Sequence, residues 1–239
     1  MKKMLDWLRS SPAIDPRSLR LPASAALDER PLSAQRMVVV DLETSGLNLQ
    51  RDQLLAIGAV VIEDGAIDFS QQFERTLQRA GHKLSPSVLI HGLGPSAIAA
   101  GCDPVEALLD FMEFVGDSPL VAHNAAFDSR FWDAELARIA RQRRQEFACS
   151  LLLARRLMPD APSHKLGALV EYARLPVAGR YHRALADAEM AASLLLRLTD
   201  ELRTRHQLPG ISHAVLRSIQ STPRQQLERC LARHRQAAA

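Results

Sequence analysis

The chain has 239 residues, 47% of them hydrophobic, and a formal net charge of +3; that is enough for one globular domain with a sizeable core plus extensions, and too little for two full domains. Its three cysteines, Cys102, Cys149 and Cys230, are far apart and include no Cys-x-x-Cys pair, so neither a disulfide framework nor a zinc site is expected, and a reducing cytoplasm is the expected compartment. No apolar run approaches the length of a membrane span, and Lys2 and Lys3 are followed by Asp6 and Arg9 rather than by the apolar core of a secretory signal.

Residues 1–36 contain Pro12, Pro16, Pro22 and Pro31 among Ser, Ala and Arg, with one short amphipathic stretch around Leu5, Trp7 and Leu8, and read as a loosely ordered extension. Met37-Val38-Val39-Val40 is an apolar, β-branched run ending at Asp41, as a buried strand would. Leu54 to Ile62 and Ala66 to Phe73 are two further strands, joined through Glu63-Asp64-Gly65, whose Asp-Gly step favours a tight hairpin. From Asp103 the spacing becomes helical, with Val105, Leu108, Leu109, Met112 and Val115 on one side and a stop at Gly116. A short strand, Pro119 to Ala122, precedes a helix from about Asp128 to Arg144, and Phe147-Ala148-Cys149 forms a last strand. Helical patterns return at Lys165 to Arg174 and at Ala184 to Leu198, where Leu185, Ala188, Ala192 and Leu195 recur. This order predicts an α/β fold, a mixed five-stranded sheet flanked by helices. The chain divides into an N-terminal extension (1–36), a central domain (37–199) and a basic helical C-terminal tail (200–239).

Charge follows the same division. Residues 1–36 carry seven basic against four acidic residues, residues 37–199 sixteen against twenty, and residues 200–239 seven against three. The acidic middle would repel an anionic ligand unless divalent cations held by carboxylates neutralised part of it, although ordinary compositional scatter explains it equally well.

Asp41-Leu42-Glu43 sets two carboxylates two residues apart at the end of a buried strand, where alternation points both to one face. Charges that close repel unless a cation sits between them, and hard Mg²⁺ or Mn²⁺ suits oxygen ligands. Asp133-Ala134-Glu135 repeats the spacing within a helical pattern, where the two side chains diverge, and reads as a solvated face. Asp128 falls near a helix start, where most aspartates are caps, and Asn124 before it can tie down a turn. His182 and Asp187 are too far apart in helical angle for one face, so His182 is placed in the loop after Gly179 and Asp187 on the helix.

Taken together, Asp41-Leu42-Glu43-Thr44-Ser45-Gly46-Leu47, His123-Asn124-Ala125-Ala126-Phe127-Asp128 and His182-Arg183-Ala184-Leu185-Ala186-Asp187 resemble the three motifs of the DEDDh family of 3′ to 5′ exonucleases, with a family-like Ile90-His91-Gly92-Leu93 between the first two. The resemblance covers about Met37 to Thr199 and is nearest to the proofreading epsilon subunit of bacterial DNA polymerase III and its stand-alone relatives. It implies a ribonuclease H-like fold, two divalent ions (Mg²⁺ or Mn²⁺) on Asp41, Glu43, Asp128 and Asp187, and His182 as the general base. It further implies that Thr44 and Leu47 meet the terminal nucleotide and that Asn124 supports the site; His91 is either near the substrate or a turn residue before Gly92, and Lys165 and Arg183 read as ordinary surface charges ahead of phosphate contacts. The expected substrate is a single-stranded or frayed 3′ end, DNA ahead of RNA, and the expected products are nucleoside 5′-monophosphates. A DNA polymerase is a possible partner, and no membrane is involved. An RNA-trimming enzyme of the same family and a non-catalytic binding module are the rival readings. The resemblance does not account for residues 1–36 or for the arginines of the tail, Arg217, Arg224, Arg229, Arg233 and Arg235, which suit either a nucleic-acid backbone or a solvated helix face.

Overall fold

The computed structural model describes residues 29–79, 92–177 and 183–237. Strands β1 (Met37–Thr44), β2 (Leu54–Glu63) and β3 (Ala66–Thr76) form an antiparallel meander, and β4 (Leu120–Ala122) and β5 (Phe147–Cys149) extend it in parallel, giving the order β3-β2-β1-β4-β5. Helices α1 (Pro95–Ala99), α2 (Pro104–Val115), α3 (Ala125–Arg138), α4 (Ser150–Leu157), α5 (Leu166–Tyr172), α6 (Ala184–Thr204), α7 (His213–Ser221) and α8 (Leu227–Ala237) complete the described chain. This is the mixed five-stranded α/β sheet expected from the sequence.

Alternation along β1 divides the core. Met37 and Val39 pack with Val60 and Ile62 under α4, α6 and α7, whereas Val38, Val40 and Leu42 pack with Phe111 of α2 and Trp132 of α3 on the opposite face. The first face is aliphatic; the second is centred on rings, with Phe111 4.9 Å from Trp132 and 5.1 Å from Phe73, centroid to centroid. Because β2 is buried along both faces, Leu54 to Ile62 reads as one continuous apolar run. Asp64 and Gly65, both at positive φ, make the tight turn into β3. Beyond Asp68 three residues, Phe69 to Gln71, loop out of register before pairing resumes at Gln72, and Asp68 accepts hydrogen bonds from the Ser70 backbone N–H, the Ser70 hydroxyl and the Gln71 amide.

The tail joins the first core. Leu216, Ile219, Leu227, Cys230 and Leu231 are buried with residues of α4 and α6, and α6 itself runs unbroken to Thr204. Helix α4 was not anticipated from the sequence, and α3 begins three residues earlier and ends six earlier than predicted. Glu135 is a correction: it is only 3% exposed, lying 2.9 Å from Arg79 and paired also with Arg138, while its neighbour Asp133 is exposed and pairs with Arg143. The helix turns the two acids apart, as expected, but sends Glu135 inward against the start of β2, near the Leu54 N–H.

A buried carboxylate that loses its best partner keeps its desolvation cost. Arg79→Ala should therefore lower unfolding free energy in urea by about 3 kcal/mol, whereas Asp133→Ala should change it by no more than about 0.5 kcal/mol. Equal effects would show that Glu135 does not depend on Arg79.

Candidate metal centre

Asp41 and Glu43 lie on the same face of β1 as Met37 and Val39, the face covered by α6. Asp187, in the first turn of α6, meets them there: carboxylate oxygens of Asp41, Glu43 and Asp187 lie within 4.8 Å of one another. Asp128, in the first turn of α3 and 3% exposed, adjoins this trio closely enough for its charge to act on Asp41, and its carboxylate accepts a hydrogen bond from the Leu42 backbone. Four carboxylates from three distant segments of the chain thus converge at the carboxyl end of β1.

Their approach depends on a residue that the motifs do not contain. Gly58 faces Asp41 across the β1–β2 ladder, and a Cβ there would overlap the backbone of Ala184 and Leu185 at the start of α6. The missing side chain lets the first turn of α6 rest on the sheet itself, bringing Asp187 down to Asp41. A glycine inside a strand marks such a close backbone approach, and this was the available signal in Ile57-Gly58-Ala59.

The electrostatics are those of an anionic site in want of a cation. Burial, and then the charges of Asp128, Asp187 and Glu43, push the Asp41 carboxyl well above its usual range. Burial and Asp187 raise Glu43 to about 7. Burial raises Asp128 to about 8 against the lowering effect of its backbone hydrogen bonds. Glu43 Oε1 is buried with no hydrogen-bond partner among the described residues. An orphaned carboxylate oxygen beside two more carboxylates is a donor set that fits a hard divalent cation.

Around the centre, Thr44 is buried and its hydroxyl donates to the Gly46 carbonyl (2.7 Å), so it shapes the following loop. Asp52 closes that loop, accepting from the Asn48 N–H (2.7 Å) and the Ser45 hydroxyl (3.3 Å), and Gly46 is small enough to lie against its carboxylate. Leu47 is left 82% exposed at the loop tip. Asn124 is exposed, with the left-handed backbone (φ 72°) that asparagine tolerates, and makes the turn into α3. Lys165 and Arg183 are exposed at the starts of α5 and α6. His182 and His91 lie outside the described residues. No helix among the described residues is long and apolar enough to cross a membrane.

The profile of a family described as exonuclease (RNase_T) matches residues 38–195. The chain is 31% identical over 176 residues to the PolC-type DNA polymerase III of Oceanobacillus iheyensis, covering 73% of this chain and 12% of that one. It is 33% identical over 159 residues to the PolC-type enzyme of Clostridium perfringens, covering 66% and 11%. The matched region is thus about an eighth of these relatives or less. Among solved structures, exonuclease X in complex with 5′ overhanging duplex DNA is similar at a TM-score of 0.56 and 26% identity, covering 69% of this chain and 91% of that one. Exonuclease I of E. coli with a dT13 oligonucleotide is similar in fold, with a TM-score of 0.60 and 16% identity over 72% of this chain and 42% of that one.

Two outcomes follow from this geometry. Gly58→Ala should displace the start of α6 and weaken Mn²⁺ binding, followed by electron paramagnetic resonance, by about 10-fold or more; unchanged affinity would show that α6 tolerates the methyl group. In EDTA, the carboxyls whose folded pKa lies above the unfolded value stabilise the protein at low pH, and this contribution is lost as pH rises towards 8. His123, held neutral down to about pH 4, acts in the opposite sense up to about pH 6.5. Between pH 6.5 and 8 the Tm of the metal-free protein should therefore fall, and Asp41→Asn or millimolar Mg²⁺ should flatten the fall. A flat profile in the unsubstituted protein would contradict the proposed repulsion.

Proposed function

The chain belongs to the exonuclease family, and we propose that it is a metal-dependent 3′ to 5′ exonuclease that hydrolyses DNA from a single-stranded or frayed 3′ end to nucleoside 5′-monophosphates, in a proofreading or repair role. The observation that carries this reading is the close trio Asp41, Glu43 and Asp187 with its buried, unpartnered Glu43 oxygen, adjoined by Asp128. These four carboxylates would hold two divalent ions, Mg²⁺ or Mn²⁺. Such ions, when bound, supply positive charge to the attacking and leaving oxygens of an in-line displacement.

The remaining tasks belong to the protein. His182 takes a proton from the attacking water, a role suited to a group that titrates near neutrality. Leu47, exposed on a loop held by Asp52, lies against the terminal base, and the backbone beyond Thr44 orients that nucleotide. Asn124 shapes the turn that brings in Asp128, and His91 and the cations Lys165 and Arg183 contribute substrate contacts. DNA is favoured over RNA because the PolC-type relatives are DNA polymerases and exonuclease X was solved on DNA. The match to a small part of a polymerase chain makes a DNA polymerase the partner of choice.

The test is digestion of a 5′-labelled strand with a recessed 3′ end, as DNA and as RNA, in Mg²⁺, Mn²⁺ or EDTA. We expect laddering from the 3′ end that requires metal and is faster on DNA. Asp41→Asn should abolish it with the circular dichroism unchanged, and His182→Ala should slow it by about 10²- to 10⁴-fold. Faster cutting of RNA would assign an RNA-trimming role, and DNA binding without cleavage by the unsubstituted protein would replace the enzyme with a binding module.

A further inference from the structure

The family profile ends at residue 195, but helix α7, beyond it, is tied to the sheet by side chains. Gln220 does for the outer edge of β5 what another strand would do: its Oε1 accepts from the Cys149 N–H (2.5 Å), and its Nε2 donates to the Phe147 carbonyl (3.2 Å). His213 and Arg217, seven and three residues earlier on the same helical face, reach the Leu120 carbonyl (3.0 Å) and Glu146 (3.4 Å). Helix α7 therefore grips both β4 and β5.

From β5 the connection continues inward. Cys149 pairs with Ala122, so the next residues, Ser150 and His123, stand side by side. Ser150 is fully buried; its hydroxyl lies 3.0 Å from His123 Nδ1 and 3.4 Å from the Ala122 carbonyl. His123 Nε2 lies 3.0 Å from the His164 carbonyl, which can only accept, so Nε2 carries the proton and Nδ1 accepts from Ser150. His123 also opens the turn between β4 and α3, followed by left-handed Asn124 and, in the first turn of the helix, by Asp128. In the parallel β1–β4 register, Val39 faces Val121, so β4 runs beside β1 towards the same end of the sheet as Asp41 before the turn at His123. Burial, against the raising effect of the His164 carbonyl bond and with the nearby charges of His164 and Arg155, lowers the His123 pKa to about 4, so the ring is neutral near pH 7 and its tautomer is left to its two hydrogen bonds.

We propose that α7 is a strut of the metal centre: Gln220 is a positioning residue that, through Cys149, Ser150 and the imidazole of His123, fixes the turn that aims Asp128. The inference rests on the reading of Asp128 as a site residue, but its first readout requires no cleavage. In the ¹⁵N-labelled full chain, the ring nitrogens of His123, assigned by comparison with His123→Gln, should report a pure Nε2–H tautomer. Gln220→Leu should mix the tautomers, weaken Mn²⁺ binding about tenfold and lower kcat on DNA by about tenfold or more, with KM little changed. Ser150→Ala, which removes one hydroxyl and leaves the helices in place, should reproduce the change at His123. Ile219→Ala, also on α7 but buried in the aliphatic core, should lower Tm while leaving the tautomer and Mn²⁺ affinity alone. If Gln220→Leu behaves like Ile219→Ala, or if Ser150→Ala leaves the ring unchanged, α7 is only a cover and the proposal falls. Absence of cleavage by the unsubstituted protein would overturn the exonuclease reading, while the tautomer and Mn²⁺ measurements would still decide the strut.

Discussion

Mutual repulsion among four carboxylates is the constraint to which the rest of the structure answers. Asp41, Glu43 and Asp187 present oxygens within 4.8 Å of one another, with Asp128 adjoining. An unfolded chain would keep these groups apart and solvated. Folding brings them together at a half-buried site where water screens them less than in the unfolded chain, so the two apolar cores carry a local conflict that a bound cation, or protonation at lower pH, relieves. The conflict is tolerable because it lies at one end of the sheet, away from the continuous apolar run of β2 and the ring cluster around Phe111.

Precision at the site comes from backbone geometry more than from side-chain contacts. Two-residue alternation on β1 brings Asp41 and Glu43 to one face, the ladder opposes Asp41 to Gly58, and Gly58 lets the first turn of α6 settle directly on the strand. Asp128 is held differently, by the Leu42 backbone and by the turn that begins at His123. The centre is thus suspended between a rigid ladder on one side and a hydrogen-bonded turn on the other.

Much of this was legible in the sequence, wherever a local rule had no competitor. The Asp64-Gly65 hairpin and the helix stopping at Gly116 each combine an apolar period with a terminating residue, and both stand in the structure; the apolar run Met37 to Val40 is a strand as expected, but pairing with β2 carries it past Asp41 to Thr44. Helix α4 escaped because it starts at Ser150 with no residue between it and β5, so Leu151-Leu152-Leu153 extends the strand's apolar run without a boundary. Glu135 was misread because periodicity shows which way a helical residue points, but not that Arg79, fifty-six positions earlier, waits there to neutralise it. Gly58 was visible as a letter, but its importance depends on a helix more than a hundred residues away. The three motifs of the family resemblance already group the four carboxylates that the fold brings together, whereas the tail's attachment through Gln220 has no local signature at all.

The two edges of the sheet are closed to strangers in different ways. At β5, three residues long, a glutamine occupies the Phe147 carbonyl and Cys149 N–H that another strand would need. At β3 the bulge knotted around Asp68 breaks the outer rim into runs of three and five residues. A protein that docks on this one therefore finds no long, straight rim on which to lay a strand, and must recognise it by the shape and charge of its helices and loops. Association by sheet extension, the common route from a soluble monomer to an aggregate, is hindered by the same arrangement.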